Sequence, residues 1–507
     1  MKIIFPVMGA ESISVCYLST ALKNAGHTVQ VAFDRALFDD KQYFSIDFLH
    51  RLFDKKQNMV DEIIKAKPDI LAFSVFTDNY QWTLDVIKRV WEHHKCITVV
   101  GGMHPTSCPN EVISAKEINY MIIGEGEAPL VELLDCISKG SSLENVPNLW
   151  MKKDSGIIKN PPRPLLNGED FPMVDKTIYE KFIPFKEYYL TVSSKGCISR
   201  CSYCTQNFLH SWEKENQIGK FLREKPVDML IEELKIMKAR YGIEYVDIKN
   251  NVLSGSQKWI QEFASKYPKE IGLPFRIMGH PLLYQKTNAQ LMKSAGCHHI
   301  QLGIESFNPD VRGKVLLRKE SNEQIILAMD NIEKAGINFS ADLIIGLPGE
   351  SENDLKFALK TLAGYNRLIR ASIFWLQYLP GVEITKMAMD KGFIDQKNLD
   401  MINRGLQKNY LSTGSPMESD RMKILKTYHI WFRLLPITPK WLIDFLVNTD
   451  IFRILRFLPF QTVFIIAIDI FVSFVKKDYY AKWIMKWYVK QITKQIFGRI
   501  HYISNED

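Results

Sequence analysis

Short runs rich in Val, Ile and Phe recur through the first part of the chain, at residues 2–7, 28–33, 70–76, 97–100 and 120–123. Between them lie stretches such as 12–24 and 82–93, in which apolar residues return at helical spacing. When strands of this length alternate with helices, each helix carries the chain back so that the next strand lies parallel to the last. The pattern therefore predicts a doubly wound, flavodoxin-like α/β sheet. Ligands of such sheets sit beyond the carboxyl ends of the strands, here the loops 8–12, 77–79, 101–106 and 124–127.

The alternation stops over residues 146–185, where Pro161, Pro162, Pro164 and Pro172 oppose regular structure. It resumes with apolar runs at 189–193, 245–248, 275–278, 300–304, 339–345 and 373–379, six strands that suit a partial (β/α)6 barrel. The expected organisation is thus a first domain over 1–145, a crossing linker over 146–185, a barrel over 186–398 and a helical, basic and apolar region over 399–507. A length of 507 residues supports several cores, and 24% charged residues with 46% hydrophobic ones excludes wholesale disorder. The net charge of +8 is too modest to indicate general nucleic-acid binding. The opening residues lack a secretory leader pattern, which predicts a cytoplasmic protein whose eight cysteines are reduced thiols or metal ligands.

Three of those cysteines stand together directly after a strand, in Ser193-Ser194-Lys195-Gly196-Cys197-Ile198-Ser199-Arg200-Cys201-Ser202-Tyr203-Cys204. A CxxxCxxC loop of this size can wrap three thiolates around a four-iron cluster and leave one iron open. The same triplet could hold zinc if a fourth ligand joined it, and His210 is the nearest candidate.

With its strand context, the segment from about 189 to 394 resembles the radical S-adenosylmethionine superfamily. Leu302-Gly303-Ile304-Glu305-Ser306 looks like that family's "GIES" strand, and Ile344-Ile345-Gly346-Leu347-Pro348-Gly349-Glu350 like its "GLPGE" turn. The resemblance implies that Cys197, Cys201 and Cys204 ligate a 4Fe-4S cluster with Tyr203 beside it. It also implies that Glu305 faces the ribose of S-adenosylmethionine, that Arg318 approaches the methionine carboxylate and that Gly346 lies near the adenine. Gly303 and Gly346 could equally serve close packing, and Glu305 and Arg318 could be surface charges. Where relatives carry acidic residues after the second strand, this chain reads Asp247-Ile248-Lys249-Asn250-Asn251.

The first domain resembles the cobalamin-binding domain that precedes the radical core in a large subfamily containing methyltransferases and the anaerobic magnesium-protoporphyrin ester cyclase. Gly101-Gly102-Met103-His104-Pro105-Thr106 and Gly124-Glu125-Gly126-Glu127 match its loops, with glycines that let backbone approach a corrin. The alternative is a pair of tight turns in any flavodoxin-like domain. A DxHxxG sequence is missing after the first strand, so the resemblance implies cobalamin held without a histidine below cobalt.

Near the C-terminus, residues 458–475 are almost continuously apolar but interrupted by Asp469, a pattern of a buried or interfacial helix. Lys482, Lys486, Lys490 and Lys494 then recur every four residues beside Trp483, Ile484, Trp487, Tyr488, Ile492 and Ile496. This is either a solvated stripe or a surface for peripheral contact with anionic lipid at the inner face of a membrane. The resemblance as a whole implies a radical methyl transfer to an unactivated carbon of a lipid-like or other large apolar substrate, with an electron donor such as a flavodoxin or ferredoxin. The alternatives are radical cyclisation or oxidation of a tetrapyrrole or lipid, and a cobalamin-binding sensor with a structural cluster.

Overall fold

The computed structural model describes residues 1–41, 45–154, 156–253, 256–285, 287–407, 419–457, 461–498 and 500–505. Strands β1 (Lys2–Met8), β2 (Thr28–Asp34), β3 (Ile70–Ser74), β4 (Ile97–Gly101) and β5 (Tyr120–Ile122) form a parallel sheet in the order 2-1-3-4-5. Its helices follow the apolar periodicity; Ile13–Asn24, for example, starts where the Ser12 hydroxyl accepts the Val15 N–H.

The stretch expected to be an irregular linker begins with a hairpin instead. Strands β6 (Leu149–Lys153) and β7 (Gly156–Lys159) join the β5 edge in antiparallel fashion, so the first sheet has seven strands. Leu149 and Met151 are buried, Trp150 between them is half-buried, and Lys152 and Lys153 after them are exposed, a pattern that the neighbouring prolines obscured. Beyond the hairpin the chain crosses to the second unit. There Lys176, fully buried, donates to Glu11 Oε2 at 2.5 Å and to the Leu190 carbonyl at 2.8 Å, pinning the first sheet to the first barrel strand.

The second unit contains β8 (Tyr189–Thr191), a short ribbon of β9 (Ser194–Lys195) and β10 (Arg223–Glu224), then β11 (Val246–Ile248), β12 (Phe275–Gly279), β13 (Cys297–Glu305), β14 (Asn338–Ile345) and β15 (Leu368–Trp375). Six of these strands are parallel in the order 15-14-13-12-11-8, an open barrel as expected. The last strand was placed at 373–379 but occupies Leu368–Trp375. The polar Arg370 broke the apolar run, although the whole segment pairs with β14.

The remaining chain is mainly helical: Ser419–Leu434, Lys440–Thr449, Gln461–Val475 and Tyr479–Phe497. Its tail is an exception. Tyr502 accepts the Phe33 N–H and Ser504 donates to Val31, so the end of the chain pairs with the exposed edge of β2. Of the two alternatives for Lys482 and its successors, the structure favours a charge stripe on a helix packed against the protein. Trp487, Tyr488 and Ile484 are buried, Trp483 stacks on Tyr188 at 4.8 Å, and Lys486 pairs with Glu187 at 3.0 Å. Asp469 is neutralised by Arg433 at 3.0 Å, and no helix among the described residues is long and apolar enough to cross a membrane.

Candidate active site

The cysteine loop leaves β8 through a turn that only glycine permits. At Gly196 φ is +89°, and a Cβ would lie 2.4 Å from the Phe221 carbonyl oxygen. Two side chains from the end of β11 brace this turn. Asn250 accepts the Ser193 N–H at 2.7 Å and donates to Ser194 Oγ at 2.9 Å, while Asn251 donates to the Gly196 carbonyl at 3.0 Å. On the far side, the Ser202 N–H donates to Leu316 and its carbonyl accepts from Ile384. Cys201 is buried, and Cys197 and Cys204 are half-buried. Burial pushes the Cys201 thiol up to about 11 and Cys204 to about 12, with Arg318 pulling Cys201 the other way. Burial raises Cys16 and Cys297 in the same direction, so what fits the loop to a cluster is the spacing of its three thiols on one short segment. His210, the fourth ligand that zinc would need, is engaged by Arg200 at 3.1 Å and stands edge-on to Phe221.

Tyr203, Gly303, Glu305 and Arg318 converge beside the loop. A bulge between Gly303 and Glu305 turns the glutamate inward at φ +67°, and a Cβ on Gly303 would meet its Oε1 at 2.8 Å. Burial pushes Glu305 up to about 7 although Arg318 stands 3.6 Å away. Arg318 donates to the Gly303 carbonyl at 2.7 Å and to Glu320 at 2.5 Å, leaving Nη1 facing Cys201 Sγ at 3.8 Å and Tyr203 at 3.5 Å. Gly346 shapes the turn after β14: its φ is +82°, and its N–H donates to the buried Glu350, whose own pKa burial raises to about 8. It does not line the cavity below.

That cavity, of about 780 Å³, runs from Tyr203 and Glu305 down the barrel interior. One wall is a polar row carried across the strands. Tyr188 donates to Asp247 at 2.6 Å, Arg276 donates to Tyr188 and Gln301, and Gln301 donates to Asp342. Arg276 also lies 4.4 Å over the Tyr480 ring, and burial pushes Asp342 up to about 6. The opposite wall is apolar, with Ile465, Ile466, Ile470 and Met485 from the last two helices.

A second space of about 370 Å³ separates the carboxyl ends of the first sheet from the barrel, and Gly101, Gly102, Gly124 and Gly126 line it. At Gly102, φ is +106° and a Cβ would sit 2.9 Å from Val75 backbone atoms; at Gly124 it would sit 2.8 Å from Trp212. Close packing on Val75 and Trp212 therefore requires glycine at these two positions, and all four glycines leave backbone on the cleft wall, where a broad ligand could approach it. Glu125 lines the same cleft but bridges the units. Burial opposes its ionisation, yet Lys195 at 3.1 Å and Arg223 at 3.0 Å hold its carboxyl below the usual range. His104 does not line the cleft, contrary to its placement among the cofactor residues. It is fully buried against Tyr80 at 4.5 Å, bonds with Thr77 at 3.2 Å, and is driven by burial down to about 4. Phe76 and Lys249 line both the cleft and the barrel cavity, so the two spaces are neighbours at these side chains.

Comparison with known families matches residues 9–134 to the B12 binding domain and residues 191–362 to the Radical SAM superfamily. The chain belongs to the cobalamin-binding radical S-adenosylmethionine family. The cofactors of this family are a 4Fe-4S cluster with S-adenosylmethionine, and cobalamin. An uncharacterized methyltransferase of Pyrococcus horikoshii is 27% identical over 310 residues, which are 59% of this chain and 64% of that protein. The chain thus spans slightly less than two thirds of that relative. Hopanoid C-3 methylase of Methylococcus capsulatus is 23% identical over 66% of this chain and 61% of its own. In fold, the chain is similar to the cobalamin-dependent S-adenosylmethionine radical enzyme OxsB, with a TM-score of 0.65 and 14% identity over 98% of this chain and 80% of that one. The radical S-adenosylmethionine methyltransferase TsrM from Kitasatospora setae gives a TM-score of 0.60 and 16% identity over 77% of this chain and 76% of that one.

Sequence reasoning missed Asn250 and Asn251 as braces, Arg276, Gln301 and Asp342 as the polar wall, and Lys249 and Phe76 at the junction. A signal existed for Lys249 to Asn251, which follow a strand at its carboxyl end. The polar wall had none, because a polar residue on a strand is ordinarily assigned to solvent.

Proposed function

We propose that this family member transfers a methyl group to a carbon atom of a substrate bound in the barrel cavity. The observation that carries the reading is that the glycine-lined cleft and the barrel cavity are adjacent, with Phe76 and Lys249 lining both. A methyl donor in the first space and an acceptor in the second would then be separated by little more than these two side chains.

In this reading Cys197, Cys201 and Cys204 hold the cluster, and Gly101, Gly102, Gly124 and Gly126 cradle the corrin. When bound, these groups supply one-electron cleavage of S-adenosylmethionine and a transferable methyl group. The chain's own residues prepare the ground for that chemistry. Arg318 is fixed by Glu320 and the Gly303 carbonyl, so that Nη1 is presented to the loop and to Glu305. Glu305, ionised above about 7, is oriented by the β13 bulge to accept a hydrogen bond from a ribose hydroxyl. The helices Gln461–Val475 and Tyr479–Phe497 cover one side of the cavity. The substrate is amphipathic, its apolar part against Ile465, Ile466 and Ile470 and its polar part against Arg276 and Asp342. The reducing electron comes from a flavodoxin- or ferredoxin-type donor.

The test is anaerobic reconstitution with iron, sulfide and cobalamin, followed by incubation with methyl-labelled S-adenosylmethionine and a cell extract. Label carried by a carbon of a low-molecular-weight product, together with deoxyadenosine, supports the reading. Deoxyadenosine with an unlabelled, cyclised or oxidised product would replace it with the ring-forming alternative, and absence of deoxyadenosine would leave a sensor.

A further inference from the structure

We propose that the helical layer of Lys440–Thr449, Ile451–Phe457 and Gln461–Val475, with the lysines that follow it, docks the protein on the surface of an anionic lipid bilayer, lying in its interface. The inference concerns a surface outside the proposed reaction and stands whether or not methyl transfer is correct.

The layer exposes large apolar side chains at a density that a solvated surface does not carry. Trp441, Phe445, Ile454, Phe457, Phe471 and Phe474 are each more than half exposed, Phe457 and Phe474 at 72% and 70%. They come from consecutive elements, Lys440–Thr449, Ile451–Phe457 and Gln461–Val475; the first packs on the second, and the second and third pack on the helix Ser419–Leu434. This set is distinct from Trp483, Trp487 and Tyr488 of the final helix, which pack against the protein.

Charge selects the occupant. Residues 440–482 contain six basic side chains, Lys440, Arg453, Arg456, Lys476, Lys477 and Lys482, and four acidic ones. Two of the four acids, Asp469 and Asp478, are directed inward onto Arg433 and Arg370. On the other side, Arg453 is neutralised by Glu352 at 2.8 Å and Lys440 faces Asp444 at 3.8 Å. The positive excess therefore rests on Arg456, Lys476, Lys477 and Lys482; Lys476 and Lys477 follow Phe474 after one residue, and Lys482 lies 5.8 Å from its ring. Aromatic side chains rimmed by lysine match the boundary between acyl chains and anionic headgroups. Geometry settles the mode: the 15 residues of Gln461–Val475 make a helix of about 22 Å, shorter than the roughly 30 Å hydrocarbon layer, so it lies on the membrane rather than through it.

The same helix is two-sided. Ile465, Ile466 and Ile470 line the barrel cavity while Phe471 and Phe474 point away from it. One helix thickness thus separates the docking face from the cavity, and an amphipathic substrate dissolved in the bilayer would have the shortest route inward through this layer.

The experiment is flotation of the full-length protein with vesicles of phosphatidylcholine, alone or with roughly one third phosphatidylglycerol. The protein is expected to float with the anionic vesicles and weakly or not at all with the neutral ones. Combining Phe471→Ser with Phe474→Ser should reduce binding by at least about tenfold, since each ring contributes on the order of tenfold in partitioning. Lys476→Glu with Lys477→Glu should abolish most of the preference for phosphatidylglycerol. Both variants are checked by circular dichroism and light scattering, so that a misfolded sample is not scored. Protein that stays unbound with anionic vesicles, or a double phenylalanine variant that floats like the parent, overturns the proposal. So does a parent dimer that the phenylalanine substitutions split, because the face would then belong to a second copy of the chain.

Discussion

Removing the Asn250 side chain should loosen the cysteine loop far more than its distance from any thiol suggests. Asn250 is buried: it accepts from the Ser193 N–H, and its two amide hydrogens are shared among Ser193 Oγ, Ser194 Oγ and the Leu253 carbonyl. In Asn250→Ala the Ser193 N–H is stranded in the interior, which costs about 1–3 kcal/mol, and the lost donors add roughly one more. Ser193 Oγ still donates to Leu253, so the damage is less than one full bond per partner. A penalty of about 2–4 kcal/mol on the closed loop lowers its population roughly 30- to 1000-fold relative to open forms. The assay is iron and sulfide content after anaerobic reconstitution, followed by the rate of iron loss to a chelator. We expect a substoichiometric cluster that is lost at least about tenfold faster than in the parent. Asn251→Ala, which removes a single bond to the Gly196 carbonyl, should change that rate only about threefold. If Asn250→Ala kept the parental iron content and chelator resistance while its melting temperature fell, Asn250 would be a generic core residue and the bracing argument would be refuted.

Gly102→Ala places a Cβ 2.9 Å from Val75 backbone atoms at φ +106°, which should cost at least about 2 kcal/mol and sharply reduce cobalamin retained on gel filtration. Glu305 has its pKa raised to about 7 in the folded protein, so the folded state keeps a proton that the unfolded chain releases near 4.5. The associated stability is present at pH 4.5 and below and is lost as pH rises to about 7, by up to about 3 kcal/mol; chemical denaturation should show this pH slope in the parent and its flattening in Glu305→Gln. His104→Leu removes the bond to Thr77 and should lower the melting temperature, yet leave the visible spectrum of bound cobalamin unchanged because the imidazole faces Tyr80 and not the cleft.

The alternation of apolar strand runs with helical stretches was enough to specify both β/α units, because burying a parallel strand on two faces requires a continuous apolar run. The cysteine spacing and the Leu302-to-Ser306 and Ile344-to-Glu350 stretches were equally legible, since local chemistry restricts what those positions can hold. Glu305, Gly303, Arg318 and Tyr203 do meet beside the cysteines. His104 could not be placed from its neighbours, because whether a loop histidine faces a cleft or a core depends on the helix it begins.

What tertiary structure alone decided concerns direction. Arg276, Gln301 and Asp342 look like solvent-facing positions on their strands until the barrel curves and encloses that face. The last two helices both carry apolar residues around much of their circumference, and periodicity cannot say which arc meets the protein. Packing against Tyr188 drew in Trp483, while the arc holding Phe471 and Phe474 was left outside. A sequence records which side chains prefer to leave water; only the closed chain determines which of them find a partner.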